Sequence, residues 1–422
     1  MHSLSFRKFV NKVTALGVVT DKKEHERPHC KHGPTLLLTK HVGAHERRFL
    51  ACSADRDNKC PILKGPFDTE KAALQRKKIR KNLIKVIKTR KEDRAFCRSC
   101  DELFMHRDLC RHQNHDILDK IPLKYIRRPT MLLKASRSKE REAQYFFSDK
   151  TIDFIVETLA RLNFTRLISI GCPTIHERIQ CQRNKLKIES ILLDIDPRYS
   201  QFYLRKQFML YNMFNHFFFE GKESQRKFEN FLRQCSPGGT CILIDPPFGG
   251  LIQAIARSVD KIHSRWIRMH WPKRNNFFVD RNLNTGGYEL GLMIFLPQFC
   301  ESKAIQYLRG TQMTDYQVEY NHHTTCRDCS CKIKVGSAIR MFTNIRQNLI
   351  KMPPEEGYRF CEKCDRFVCG KNRHCPLCDA CTSKDGLPAH HCNKCGRCAR
   401  NDFKHCDKCG ICGFPSNHHH EK

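Results

Sequence analysis

Residues 240–248 read TCILIDPPF, an apolar, strand-forming run that ends in Asp245-Pro246-Pro247-Phe248. Two prolines in succession cannot continue a strand ladder, so the strand has to stop at the aspartate. Working outward, RLISIG (166–171), SILLDID (190–196) and LGLMIFLP (290–297) are further apolar strand-like runs, separated by stretches of helical character. Strands that alternate with helices argue for βαβ units and a parallel sheet. The fold class expected between about 145 and 345 is therefore α/β, with a Rossmann-like core. In such a sheet Asp245 stands at the carboxyl end of its strand, where open α/β folds bind ligands.

The neighbouring strand ends carry matching chemistry. RLISIG closes on Gly171, which lets a ligand pass close to the backbone. Some 23 residues later SILLDID ends on Asp194 and Asp196, and an acid at that distance suits hydrogen bonds to ribose hydroxyls. Asp194 is the better choice, because Asp196 already enters a turn with Pro197. With a single glycine in Gly171-Cys172-Pro173, the dinucleotide fingerprint is missing. S-adenosylmethionine needs no pyrophosphate cradle, so methyl transfer is favoured over nicotinamide chemistry. Gln144, Tyr145, Phe146 and Phe147 precede a helix capped by Ser148 or Asp149 and are placed to border the cofactor, or to be plain core. Asn212, beside Met213 after a third apolar segment, is a candidate for reading the cofactor's adenine, with a turn asparagine as the alternative.

Asp245-Pro246-Pro247-Phe248 fits the acid-Pro-Pro-aromatic signature of methyltransferases that act on exocyclic amines of bases. The amine lone pair is delocalised into the ring, so the nitrogen is a poor nucleophile. Asp245 and the Pro246 carbonyl can each accept one N–H and hold the nitrogen toward the methyl group. Phe248 can stack on an extruded or unpaired base.

Cysteines are concentrated outside this region. Of 26, six lie before residue 111 and twelve in the last 62 residues. The opening MHSLSFRKFVNKV has no apolar core of signal-peptide length, although it could pass for a weak basic presequence; secretion is not expected. Thiols in a reducing compartment read as metal ligands rather than disulfides. Cys30, His32, Cys52 and Cys60 form a first tetrahedral zinc set, and CKHGPTLLL with RRFLACSADRDNKC resembles a GRF-type zinc finger. Cys97, Cys100, His112 and His115 form a second, with Cys110 and His106 as rivals. The tail adds Cys361 and Cys364, then three HCxxCxxC units: His374, Cys375, Cys378, Cys381; His391, Cys392, Cys395, Cys398; and His405, Cys406, Cys409, Cys412. At four ligands per ion the tail should hold about three zinc ions, and the chain about five. Cys326, Cys329 and Cys331 with His322 and His323 could make a further set.

The tail's spacing is also similar to the cysteine-rich domain of DHHC protein S-acyltransferases. Here the stretch is Ala389-His390-His391-Cys392, without the aspartate, and no run of 18 apolar residues occurs. Acyl transfer between membrane helices is therefore set aside.

The formal charge of +32 calls for a polyanionic partner, nucleic acid first. Residues 71–91 carry ten basic and no acidic residues, and Leu83, Ile84, Val86 and Ile87 recur at roughly helical spacing, which predicts a basic amphipathic helix.

CKHGPTLL, QYFFSDKTIDF, LLDIDPRYSQFY, YNMFNHFFF, DPPFGG, RMFTNI, EEGYRFC and CTSKDG together resemble the CCHC zinc-finger-containing rRNA adenine N6-methyltransferases, from about residue 28 to the end of the chain. The resemblance implies a class I methyltransferase core that methylates N6 of one large-subunit rRNA adenosine with S-adenosylmethionine. It places Asp245, Pro246, Pro247 and Phe248 around the target base, and Gln144–Phe147, Gly171, Asp194, Asn212, Met213 and Asp245 beside the cofactor. The expected division is a GRF-type finger (28–65), a basic helix and linker (66–95), a C2H2-type finger (96–120), the methyltransferase domain (121–350) and a multi-zinc domain (355–415). A nucleolar or nuclear site with a cytoplasmic fraction, ribosome-biogenesis proteins as partners and no membrane association follow from it. The competing class is a zinc-dependent RNA-binding scaffold with an inactive methyltransferase fold. DNA adenine and the N4 amine of cytosine are alternative targets for the same motif.

Overall fold

The computed structural model describes residues 16–19, 26–42, 45–54, 60–135, 144–204, 206–236, 238–270, 290–321 and 337–414. The Cys326–Cys331 set with His322 and His323 lies outside them.

The core is an eight-stranded sheet: β1 (Arg166–Ile170), β2 (Glu189–Asp194), β3 (Phe208–Asn212), β4 (Phe217–Phe218), β5 (Thr240–Ile244), β6 (Gly291–Pro297), β7 (Gln312–Gln317) and β8 (Ile339–Thr343). Across the sheet the order is β4-β3-β2-β1-β5-β6-β8-β7. From β3 to β6 all neighbours run parallel. β8 inserts antiparallel between β6 and β7, so the sheet is mixed at this end rather than wholly parallel. Strand order reverses between β1 and β5, and a reversal of this kind opens a crevice at the carboxyl edge.

Alternation along each strand builds two cores. Ile168 and Ile170 face one side with Ile191, Leu193, Ile242 and Ile244. There they meet Phe228 and Phe231 of α2 (Gly221–Arg233) and Ile255, Val259 and Trp266 of α3 (Ile252–His270). Leu167, Cys241, Leu243 and Met293 face the other side, against Ile152, Ile155 and Leu159 of the helix Asp149–Arg161, whose N-cap is Ser148.

Both N-terminal modules are built onto this core. Val18, Leu36, Leu38 and Ala51 of the first finger's strands join the α2/α3 side. The basic helix is Thr69–Lys88, capped by Asp68. Only Leu83 and Val86 of its expected apolar face are buried, while Ile84 and Ile87 are exposed. Its docking depends instead on Arg76, which is buried, donates to the carbonyls of Ser200 and Tyr203 and pairs with Glu220. Leu83 and Val86 share a third cluster with Phe96, Leu103 and Met105 of the second finger and Leu192, Tyr199 and Phe208 of the core. At the far edge, the first tail hairpin (Tyr358–Cys361 and Arg366–Cys369) covers β7. There Asp315 accepts from Arg366, from Asn372 and from the amide of Cys369.

Candidate active site

Three strand ends meet at the crevice. The Gly171 amide donates to the Leu193 carbonyl at 3.0 Å and the Asp245 amide to the Ile170 carbonyl at 3.1 Å. Gly171 and Asp245 thus sit one step past the ends of β1 and β5, beside Asp194, the last residue of β2. Gly171 has φ +68°, and a Cβ there would stand 2.7 Å from the Asp245 carbonyl oxygen and 3.1 Å from Met213 Cε. Only glycine fits this floor.

Above it opens a cavity of about 290 Å³. Its walls include Gln144, Tyr145 and Phe146, the acids Asp194 and Asp196, the β3 end from Tyr211 to Phe214, and the loop Asp245–Phe248. The structure therefore brings together all the residues expected to border base and cofactor except Phe147. That residue is 1% exposed, stacks on Tyr320 and meets Phe295 edge-on. It is core, because successive strand residues face opposite ways and Phe146 takes the cavity side.

Asn212 has its side chain committed within the fold. It lines the cavity, but its amide nitrogen donates to His32 O (2.9 Å) and Ser53 Oγ (2.7 Å), and its oxygen accepts from the Phe214 amide. Asn215 donates to the His32 and Pro34 carbonyls. The two asparagines tie the first finger to the sheet, so His32, Ser53 and Ala54 become cavity wall. Gln144 is committed as well, donating to Asp196 Oδ2 and accepting from Arg198 Nη2. Asp196 is held by the Gln144 and Arg198 side chains, whereas Asp194 accepts from backbone amides alone, those of Asp196 and Ile195, among the described residues. This supports Asp194 as the group left for a sugar hydroxyl.

Sequence reasoning missed Tyr320. Its short strand, Tyr320–Asn321, pairs with Phe146–Phe147, and its hydroxyl donates to Asp245 Oδ1 at 2.8 Å. Tyr145 stacks on Phe248 (5.0 Å, 27°), and Tyr320 meets both edge-on. Three aromatic rings thus gather beside one half-buried carboxylate. A base stacking on the same face of Phe248 has to take the place of Tyr145. No motif marked Tyr320; only an alternating aromatic pattern could have.

Burial pushes the Asp245 carboxyl well above its ordinary range, with Asp194 adding to the shift and Tyr320 opposing it. Asp194 rises to about 7, through burial and then Asp196. A cation entering the cavity would relieve both shifts, since an opposite charge favours the ionised form. A glycine floor, two acids and apolar walls fit S-adenosylmethionine, a nucleoside that carries a sulfonium.

The cysteine–histidine sets assemble too. Cys30, His32, Cys52 and Cys60 bring their donor atoms within 4.8 Å of one another, as do Cys97, Cys100, His112 and His115. Cys110 and His106 are exposed and stand outside that group. His112 is buried with no hydrogen bond on either ring nitrogen among the described residues, so a nitrogen is left to ligate an ion. In the tail the groups are Cys361, Cys364, His374 and Cys381; Cys375, Cys378, His391 and Cys398; and Cys392, Cys395, His405 and Cys412. Spacings such as Cys30–Cys52 3.5 Å, Cys378–Cys398 3.7 Å and Cys97–His115 3.5 Å suit ligands of one tetrahedral zinc, which stand about 3.3–3.8 Å apart. Cys406 and Cys409, expected as ligands, belong to none of these groups among the described residues.

This sheet, with a cofactor-sized cavity at its reversal point and an acid-Pro-Pro-aromatic loop on one wall, defines a class I methyltransferase directed at an exocyclic amine. Such an enzyme uses S-adenosylmethionine. Residues 138–346 match the family described as probable N6-adenine methyltransferase. Similar curated proteins are named rRNA N(6)-adenosine-methyltransferase ZCCHC4. The Homo sapiens protein is 37% identical over 382 residues, covering 85% of this chain and 72% of that protein. The Xenopus laevis protein is 36% identical over 82% and 72% of the two chains. The chain belongs to this rRNA N6-adenosine-methyltransferase family.

Proposed function

We propose that this protein methylates N6 of one adenosine in large-subunit ribosomal RNA. The observation that carries the reading is Asp245, half-buried in the cavity wall at the end of β5, hydrogen-bonded to Tyr320 and set among aromatic side chains. Tyr320 occupies Oδ1, which leaves Oδ2 for the adenine amine. The Pro246 carbonyl accepts the second N–H, and the nitrogen lone pair is thereby turned out of conjugation with the ring. Phe248 and its aromatic neighbours cover the flipped base and exclude water. Bound S-adenosylmethionine supplies the electrophilic methyl group, with Asp194 on its ribose and Gly171 beneath it.

The five cysteine–histidine groups each hold one zinc ion, and the N-terminal fingers and the basic helix bind RNA phosphates and shape. The charge and substrate argue for a nucleolar or nuclear enzyme with a cytoplasmic fraction, working among ribosome-biogenesis proteins. The test is transfer of labelled methyl groups to total RNA stripped of methylation, followed by nucleoside analysis. Label should appear as N6-methyladenosine in large-subunit RNA and vanish with Asp245→Ala. Normal methylation by Asp245→Ala, or label in another nucleoside, would overturn the assignment. Elemental analysis should find five zinc ions per chain, and a value of three or fewer would contradict the ligand sets.

A further inference from the structure

A second cleft lies on the other side of the catalytic loop. It is lined by Pro246–Gln253, by Phe295–Pro297, Phe299 and Cys300, and by Leu16, Lys303 and Tyr307. Pro246, Pro247, Phe248 and Gly250 are common to this cleft and to the cavity that holds Asp245. The loop is therefore a thin partition with a groove on each face.

The chemistry of the second groove differs from that of the first. It has no carboxylate in its lining. Its surfaces are proline, leucine, isoleucine and aromatic rings, and Phe299 is 43% exposed at its edge. The one cation in the lining, Lys303, sits 5.7 Å from the centre of the Tyr307 ring. Aromatic faces with a cation at the rim and no acid make a platform for a nucleobase with its phosphate.

We infer that this groove takes the base of the nucleotide next to the target adenosine. The inference rests on the RNA methyltransferase reading above and adds a substrate subsite to it. An adenosine cannot reach Asp245 without leaving its stack, and its neighbours then lose a stacking partner. One partition residue away, the apolar groove offers the replacement surface, and Lys303 faces the polyanion that a protein of charge +32 is built to bind. Covering the neighbouring base holds the RNA unstacked while Asp245 engages the amine.

The experiment uses the full-length, zinc-loaded protein and an RNA oligonucleotide spanning the methylated adenosine. Phe299→Ala and Lys303→Ala are compared with wild type for KM, kcat and S-adenosylmethionine affinity. Each should raise the RNA KM by about ten-fold, the size expected for one lost stacked base. Affinity for S-adenosylmethionine should not change, which also shows that the variants are folded. The decisive arm repeats the comparison on oligonucleotides made abasic immediately 5′ or 3′ of the target. On one of them the wild-type KM should rise and the Phe299→Ala penalty should vanish. A penalty that persists on both abasic RNAs, or an unchanged KM for both variants on intact RNA, would overturn the subsite. Failure of the wild-type enzyme to methylate any RNA would instead overturn the function on which it depends.

Discussion

Tyr320→Phe removes one oxygen atom from the centre of the site and nothing else. The ring keeps its stack on Phe147 (5.0 Å, 23°), so the wall of the cavity survives. What disappears is the 2.8 Å hydrogen bond to Asp245 Oδ1, made in the wall of the cavity between two half-buried groups. A hydrogen bond to a charged group contributes about 1.5–3 kcal/mol, and the loss here is felt when the carboxylate has to be held in one orientation against the amine. At about 1.4 kcal/mol per decade, kcat should fall by about 10- to 150-fold. The acidic limb of the pH–rate profile should move as well. Ionised Asp245 is the acceptor, so the rate rises with pH as this carboxyl loses its proton. Burial holds its pKa high and the Tyr320 hydroxyl pulls it down; without that hydroxyl the limb shifts to higher pH. S-adenosylmethionine affinity, measured by calorimetry at a pH above the limb, should stay close to wild type. A variant with wild-type kcat and an unmoved limb would refute the claim that Tyr320 orients the catalytic carboxylate.

Gly171→Ala forces a side chain into a left-handed backbone, at about 1–2 kcal/mol, and drives its Cβ to 2.7 Å from the Asp245 carbonyl. Calorimetry should show at least ten-fold weaker S-adenosylmethionine binding, and unchanged affinity would contradict the floor assignment. Arg76→Met leaves Glu220 buried without its cation, so urea unfolding should report a loss of about 3–5 kcal/mol, largely recovered when Glu220→Leu is added. A loss below 1 kcal/mol would show that the basic helix is not anchored through Arg76. Glu177 is buried under Thr130, and burial lifts its pKa from 4.5 to about 7. The folded protein holds this proton more tightly than the unfolded chain, so stability is lost as pH rises from about 4.5 to 7. Glu177→Gln should therefore melt above wild type at pH 8, with the gap closing below pH 5, and a pH-independent gap would contradict that origin.

The features legible in the sequence are those set by local pattern. Apolar runs broken by proline and glycine placed the strands, and the residues that end them, Gly171, Asp194 and Asp245, do converge at one edge. What stayed hidden depends on contacts between distant segments. Asn212 looked like an adenine reader because nothing local shows that the first finger's His32 and Ser53 take its amide. Tyr320 has no motif, and it reaches Asp245 only because its strand pairs with Phe146–Phe147. Arg76 counted as one more surface cation of a basic helix, and only the fold shows two carbonyls and Glu220 waiting for it.

The tail is the instructive case, because its pairing follows from a rule already available. Each HCxxCxxC unit invites reading as one site, with its histidine and three cysteines on a single ion. In the structure each unit is a hairpin, and the histidine stands directly across from the last cysteine: His374 from Cys381, His391 from Cys398, His405 from Cys412. Residues opposed across a ladder share a face, whereas neighbours along a strand face opposite ways. His374 and Cys375 therefore cannot serve the same ion. The histidine and last cysteine close the site of the preceding Cys-x-x-Cys, and the inner two cysteines turn to the other face and open the next. An ion in each group would staple one hairpin to its successor, so that hairpins too small to own a core are held in a row by shared ligands. By the same alternation Cys406 and Cys409 face away from His405 and Cys412. They fall outside the last group because they lie off the face that carries His405 and Cys412, and not because they are ill-made as ligands.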